Sequence, residues 1–208
     1  GGYAYLAAGT NGLRVVDVSD PTNAVETASF TGNYDPGFEV NDVALAGGSV
    51  YMAIDGGLGQ ISTSANPGSY SLHPISDGSG NRNCTAVFYN GSELYVTLQD
   101  YGVFAYTLAK SLLGSHETPG SAEDVHVHSD LVYVADGSQG LQILDASDVA
   151  DMALHAGYAG VPAYGVTVAD GFAFVAGRST GLHIFRSAVD SDEDRSEERR
   201  VGKECATG

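Results

Sequence analysis

Positive charge is scarce in this sequence. Lysine and arginine together number nine among 208 residues, against 26 aspartates and glutamates, for a formal net charge of −17. A surface of that sign repels phosphate backbones and anionic headgroups, so the chain is expected to bind neither nucleic acid nor a membrane surface. Cysteine is scarcer still. Only Cys84 and Cys205 occur, and Cys205 falls in a segment set aside below, which leaves no internal disulfide and no indication of redox compartment. No apolar run reaches the length of a membrane span, so this segment is not expected to insert into a bilayer. Segments of helical period are missing, as are G-x-S-x-G, H-E-x-x-H, phosphate-loop and paired-carboxylate signatures, and nothing marks the chain as an enzyme. A conventional start is absent too: the chain opens GGYAY without Met or a signal-like apolar stretch, and it reads as an internal piece of a longer protein.

The C-terminal stretch RSEERRVGKEC, residues 195–205, matches a translated sequencing adapter residue for residue and is excluded from fold reasoning, with 195–208 as a non-native tail. Since that tail carries four basic and three acidic residues, the remainder has a net charge of −18, and Lys110 is its only lysine.

What the sequence does have is glycine (28 residues), tyrosine (12) and a 43% hydrophobic share, a composition suited to many short strands joined by tight turns. It also repeats itself. LVYVADGSQGLQILDASD at 131–148 returns as FAFVAGRSTGLHIFRSA at 172–188 and as YAYLAAGTNGLRVVDVSD at 3–20. Registering the copies on Tyr5, Tyr51, Tyr95, Tyr133 and Phe174 gives spacings of 46, 44, 38 and 41 residues, a period of about 42. Seven residues after the aromatic come Gly12, Gly102, Gly140 and Gly181, with the second copy slipping by one to Gly59; eight residues before it come Val43, Val87, Val125 and Val166.

Each unit divides into short segments of period 2 separated by Gly, Asn, Asp and Ser, as in DVHVHS, LVYVAD and LQILDA, with a weaker fourth such as MALHAGY. Four antiparallel strands per repeat describe the blade of an all-β propeller, whose equivalent stacked sheets explain why every copy resembles its neighbours. Five registered aromatics and four preceding inner segments make about four and a half blades over residues 1–187, an incomplete ring whose terminal strands are open edges.

The units at 3–21 and 131–148 resemble the LVIVD repeat, a propeller repeat of bacterial and archaeal proteins, many of them exported. The pattern A/V-Y-V-A, then G-L-x-I/V-L/V-D-x-S-D-P, stands almost intact in the first copy and lacks only the Pro in the fourth. The second and third copies lose the Asp, and the fifth has Phe185-Arg186 where Leu-Asp would fall. The resemblance implies an extracellular or cell-surface bacterial protein and a binding or scaffolding role, with a protein or glycan as partner and no cofactor.

Candidate sites follow from the repeat. Loops leading into the inner strands should converge on one rim near the axis, which places Glu39, Asn41, Asp42, Asn83, Cys84, Glu123, Asp124 and Tyr164 on a binding face. The bland alternative is that they are turn-forming residues without a ligand. In DVHVHSD, Asp124, His126 and His128 sit at i, i+2 and i+4 on one strand face, a donor set suited to zinc or copper and the basis of an alternative reading as a metal-dependent binder or enzyme. Against that reading, the other copies offer no further ligand, and channel lining or an inter-blade hydrogen bond explains the same residues. Cys84 has no local histidine to activate it, so it reads as a small buried side chain. Asp17, Asp20 and Asp145 read as Asx-type caps of the repeat's turns. At 188–194 an acidic linker begins, in which Asp190, Asp192 and Asp194 alternate like the first ligands of a calcium loop, so calcium is the cofactor this segment suggests.

Overall fold

A computed structural model of the chain describes residues 2–31, 39–63, 71–75 and 82–186. Asp190, Asp192, Asp194 and the adapter-like tail lie outside the described residues.

Among the described residues, eighteen strands form five antiparallel sheets taken in chain order. The first sheet holds β1 (Tyr3–Ala7), β2 (Leu13–Asp17) and β3 (Val25–Phe30). The second runs β4 (Val40–Ala46), β5 (Ser49–Ile54), β6 (Gly57–Ser62) and β7 (Ser71–Pro74). The third runs β8 (Cys84–Tyr89), β9 (Leu94–Leu98), β10 (Gly102–Tyr106) and β11 (Leu112–His116). In the fourth are β12 (Asp124–His128), β13 (Leu131–Ala135), β14 (Leu141–Asp145) and β15 (Ala153–Tyr158). The fifth holds β16 (Gly165–Ala169), β17 (Phe172–Ala176) and β18 (Leu182–Arg186). Among the described residues, sheets of three, four, four, four and three strands amount to the four and a half blades that the period predicts, the first showing no inner strand and the last no outer one. The described residues contain no α-helix, and so none long and apolar enough to cross a membrane.

The core is distributed over the four junctions between consecutive sheets, one apolar cluster to each. This is why the second strand of each interior blade is apolar on both faces. In β5, Val50, Met52 and Ile54 pack towards the first sheet, while Tyr51 and Ala53 pack towards the third. In β13, Val132 and Val134 face the third sheet, while Leu131, Tyr133 and Ala135 face the fifth. Tyr51, Tyr95 and Tyr133 are at most 2% exposed, so the aromatic that registers the repeat is the residue each blade sends into the next.

The registered glycine also has a physical basis, and the structure corrects one assignment. Gly12, Gly102 and Gly140 have φ of 74°, 81° and 84°, and a Cβ on them would lie 2.0–2.2 Å from the carbonyl oxygen of Phe30, His116 and Tyr158 respectively. Only glycine fits a left-handed backbone pressed against the outer strand. In the second blade the residue meeting both conditions is Gly57, with φ 151° and a Cβ site 2.2 Å from the His73 oxygen, and not Gly59. The β5–β6 turn is short, joining Ile54 directly opposite Gly57, so the glycine falls earlier than the period suggests.

The Asx caps are present. Asp17 accepts from the backbone N–H (2.9 Å) and hydroxyl (2.6 Å) of Ser19; Asp20 does so from Thr22, and Asp145 accepts the Ser147 N–H at 2.9 Å. These bonds hold all three carboxyls below the usual carboxylate range, the Ser and Thr hydroxyls contributing most at Asp17 and Asp20 and the Ser147 N–H at Asp145.

Candidate functional site at the axial mouth

Inner strands have one edge facing the axis with no strand beyond it, so their N–H groups need other acceptors. Two carboxylates meet part of that need. Asp42 accepts the N–H of its own neighbour Val43 at 2.8 Å and, through its other oxygen, that of Val87 in the next blade at 2.9 Å. Asp124 repeats the arrangement two blades on, with Val125 at 2.8 Å and Val166 of the fifth blade at 2.8 Å. The acceptors are therefore residues immediately before the registered valines, and the donors are those valines. At the junction between, where Ala86 stands in place of Asp, Thr85 makes the link by donating its hydroxyl to the Ala122 carbonyl at 2.6 Å. Asn41 joins the second blade to the third by donating to the Cys84 carbonyl at 2.8 Å.

Burial pushes Asp42 up from the ordinary carboxylate value and Asp124 further, to about 6; the N–H donors pull each back, and the charge of Asp42 adds to the rise at Asp124.

The expected rim residues divide by their position. Glu39, Asn41, Asn83 and Glu123 do come together, with Asp55, Thr85 and Gln99, around a mouth of about 280 Å³ contributed by three consecutive blades. Asp42 and Asp124 lie deeper, engaged in the inter-blade bonds. Cys84 is fully buried at the second junction, its thiol pushed up to about 12 chiefly by desolvation, which keeps it protonated and unreactive. Tyr164 stands on the fifth blade with the Arg178 guanidinium 3.6 Å over its ring.

Asp55, Thr85 and Gln99 are mouth residues that the sequence reading missed, and strand counting could have found two of them. A chain that starts its inner strand at this rim turns back at the far rim and returns here at the end of the second strand. The turns after β5 and β9, which hold Asp55 and Gln99, therefore share the rim with the loops before β4, β8 and β12. Beside the mouth a second recess of about 190 Å³ shares Asn83 and Gln99 and adds Asp100 and Arg82, the latter stacked 3.8 Å over Tyr101. The surface is thus acidic and amide-rich, with one guanidinium at its margin.

Asp124, His126 and His128 share a strand, but their side chains have separate contacts. Asp124 is held by two N–H groups, the His126 ring lies 4.5 Å from that of Phe88 in the third blade, and His128 is exposed. Desolvation, then the neighbouring His128, lowers the His126 pKa. Among the described residues no group of three or more His, Cys, Asp or Glu side chains is arranged to hold a metal ion.

Comparison with known proteins agrees with the repeat and the architecture. Residues 1–32 and 119–159 match the LVIVD repeat. No curated protein sequence matches the chain. Among solved structures, the computationally designed Ika8 protein superposes with a TM-score of 0.67 at 12% identity, over 89% of this chain and 56% of that one. A chain of the mitotic checkpoint complex gives 0.68 at 11% identity, over 89% and 61%. Apo AztD from Citrobacter koseri gives 0.54 at 13% identity, over 90% and 55%. At such identities the likeness is one of fold, and the chain spans between one half and two thirds of each of those structures.

Proposed function

We propose that this chain, a β-propeller with LVIVD-like repeats at 1–32 and 119–159, is a non-enzymatic binding or scaffolding module of an exported or cell-surface bacterial protein, presenting its axial mouth to a protein or glycan. The observation that carries this reading is the convergence of Glu39, Asp55 and Glu123 with Asn41, Asn83 and Gln99 on one recess. Three carboxylates and three amides offer acceptors in excess of donors. They suit a ligand rich in N–H or O–H groups, such as basic side chains of a protein or the hydroxyls of a sugar. The groups sit on loops whose ends are tied between blades by Asn41, Thr85, Asp42 and Asp124, so little ordering entropy is lost on binding.

Export and surface location rest on the resemblance of the repeat to those of exported proteins. The binding role is tested by probing the full chain on an array of glycans and of basic peptides, beside a variant carrying Glu39→Gln, Asp55→Asn and Glu123→Gln. The expected result is saturable binding that weakens at least tenfold in the variant while its thermal unfolding is unchanged. Binding that the variant retains in full, or none to any probe, removes the reading.

A further inference from the structure

Asparagine followed by glycine occurs twice in the chain, at Asn11-Gly12 and at Asn90-Gly91. In such a pair the glycine nitrogen can attack the Cγ of the preceding side chain, because no Cβ hinders its approach. Along the sequence the two pairs are equivalent. In the fold they are not.

Gly12 is closed off. It is buried, its N–H donates to the Gly9 carbonyl at 2.9 Å, and its own carbonyl accepts the Ala8 N–H at 2.9 Å. Its backbone is pressed on the outer strand, where a Cβ would lie 2.0 Å from the Phe30 oxygen. The nitrogen therefore cannot swing towards Asn11 without giving up both the bond to Gly9 and the seat against β3.

Asn90 and Gly91 stand in the turn between β8 and β9, and here the third blade departs from the repeat. The corresponding turns of the second, fourth and fifth blades hold two residues, at 47–48, 129–130 and 170–171, whereas this one holds four, at 90–93. Asn90, Gly91 and Ser92 are exposed. Among the described residues the Gly91 N–H donates to no protein acceptor, and no atom lies within 4 Å of where its Cβ would be. The Asn90 side chain is held: its Oδ1 accepts the N–H groups of Ser92 at 2.9 Å and Glu93 at 2.8 Å, and its Nδ2 donates to Glu93 Oε2 at 2.8 Å. Two donors thus rest on the oxygen that gains negative charge when a nucleophile adds to Cγ, the arrangement that stabilises a tetrahedral intermediate.

We propose that Asn90 is a self-modifying site, at which the folded chain converts its own amide into aspartate and isoaspartate. The Gly91 nitrogen forms a bond to the Asn90 Cγ, the Cγ–Nδ2 bond breaks, and ammonia leaves with the proton lost from Gly91. Water then opens the cyclic imide at either of its two carbonyls. Cleavage of the new bond gives aspartate, and cleavage of the original peptide bond gives isoaspartate. Water is the one co-reactant. The products undo the turn's own fastening, since a carboxylate replaces the Nδ2 donor that faced Glu93 and isoaspartate adds a carbon to the main chain. A slow, one-way step thereby loosens the hairpin that sets the third blade apart, at the rim opposite the mouth and independently of any ligand there.

The full chain is incubated at neutral pH, folded and in concentrated urea, then digested with pepsin and mapped for isoaspartate by mass spectrometry with electron-transfer fragmentation. The expected result is conversion at Asn90 at least tenfold faster than at Asn11 in the folded chain, and comparable rates at both in urea. Equal rates in the folded chain, a faster Asn11, or no conversion of folded Asn90 overturns the proposal. Gly91→Ala tests the chemical route in urea, where folding plays no part. It is expected to slow conversion at Asn90 at least tenfold and leave Asn11 unchanged, and an unslowed Asn90 would mean direct hydrolysis by water and refute attack by the Gly91 nitrogen.

Discussion

Replacing Asp124 by asparagine should alter how stability depends on pH. Burial holds this carboxyl at about 6 where its ordinary value is 3.8, against the pull of the Val166 and Val125 N–H groups and with a further push from Asp42. The folded chain therefore binds that proton more tightly than the unfolded chain by roughly two decades, at ~1.4 kcal/mol each, or about 3 kcal/mol in all. Between the two values the folded state holds more protons than the unfolded state, so raising the pH through that window costs stability. None of the penalty is present below 3.8, and all of it above 6. Asparagine does not titrate, and it presents one acceptor oxygen where the carboxylate presents two. Either Val125 or Val166 then loses its partner, at a cost of about 1–3 kcal/mol that is independent of pH. The wild type should thus be the more stable of the two near pH 4, and its advantage should shrink by about 3 kcal/mol on the way to pH 7.5, to near zero or below. Urea unfolding followed by circular dichroism at half-unit steps of pH gives both curves. Parallel curves, or an advantage that grows with pH, would refute the account of a buried carboxylate held between two blades.

Three further outcomes are expected. Because the Asp42 charge raises the Asp124 value, Asp42→Asn should move the Asp124 carboxyl titration downward in a carbon-detected NMR series, and an unmoved midpoint would show the two to be independent. Gly57→Ala should destabilise the chain by about 2 kcal/mol or more, through φ 151° and the His73 carbonyl, whereas Gly59→Ala, which meets side chains alone, the Met52 Cε at 2.9 Å and the Ile54 Cδ1 at 3.3 Å, should cost less than half as much in the same urea assay. Leu144→Ala, at a fully buried position between the third and fourth sheets, should cost about 2–5 kcal/mol, and Leu154→Ala, 58% exposed on an outer strand, under about 0.5 kcal/mol; equal losses would argue against the junctions as the core.

Much of this architecture was legible along the chain because its causes are local or repeated. Period-2 alternation reports a strand whose two faces differ in burial, a short unbroken apolar run reports one buried on both, and tight turns favour Gly, Asn or Asp where φ is positive. The caps at Asp17, Asp20 and Asp145 bond residues two positions away, a distance a sequence reading can span. Half of the expected rim residues line the mouth for the same reason: each copy sends the same loop to the same place. Where one blade departs from the period, the reading slips, as at Gly59, because a turn shortened by a residue shifts which glycine meets the outer strand.

The sequence by itself determined the four and a half blades of this stretch, the order of their strands and the aromatic that each sends to its neighbour, since a repeated unit must bury the same faces in the same way each time. Only the tertiary structure decided that Asp42 and Asp124 reach N–H groups 45 and 42 residues onward, that Cys84 is closed off while Asn83 beside it is open, and that Asp55 and Gln99 join the mouth. Those outcomes depend on how far each sheet is rotated and shifted against the next about the axis. That rotation is set by side chains meeting across a junction, and a pattern read along one strand at a time does not contain it.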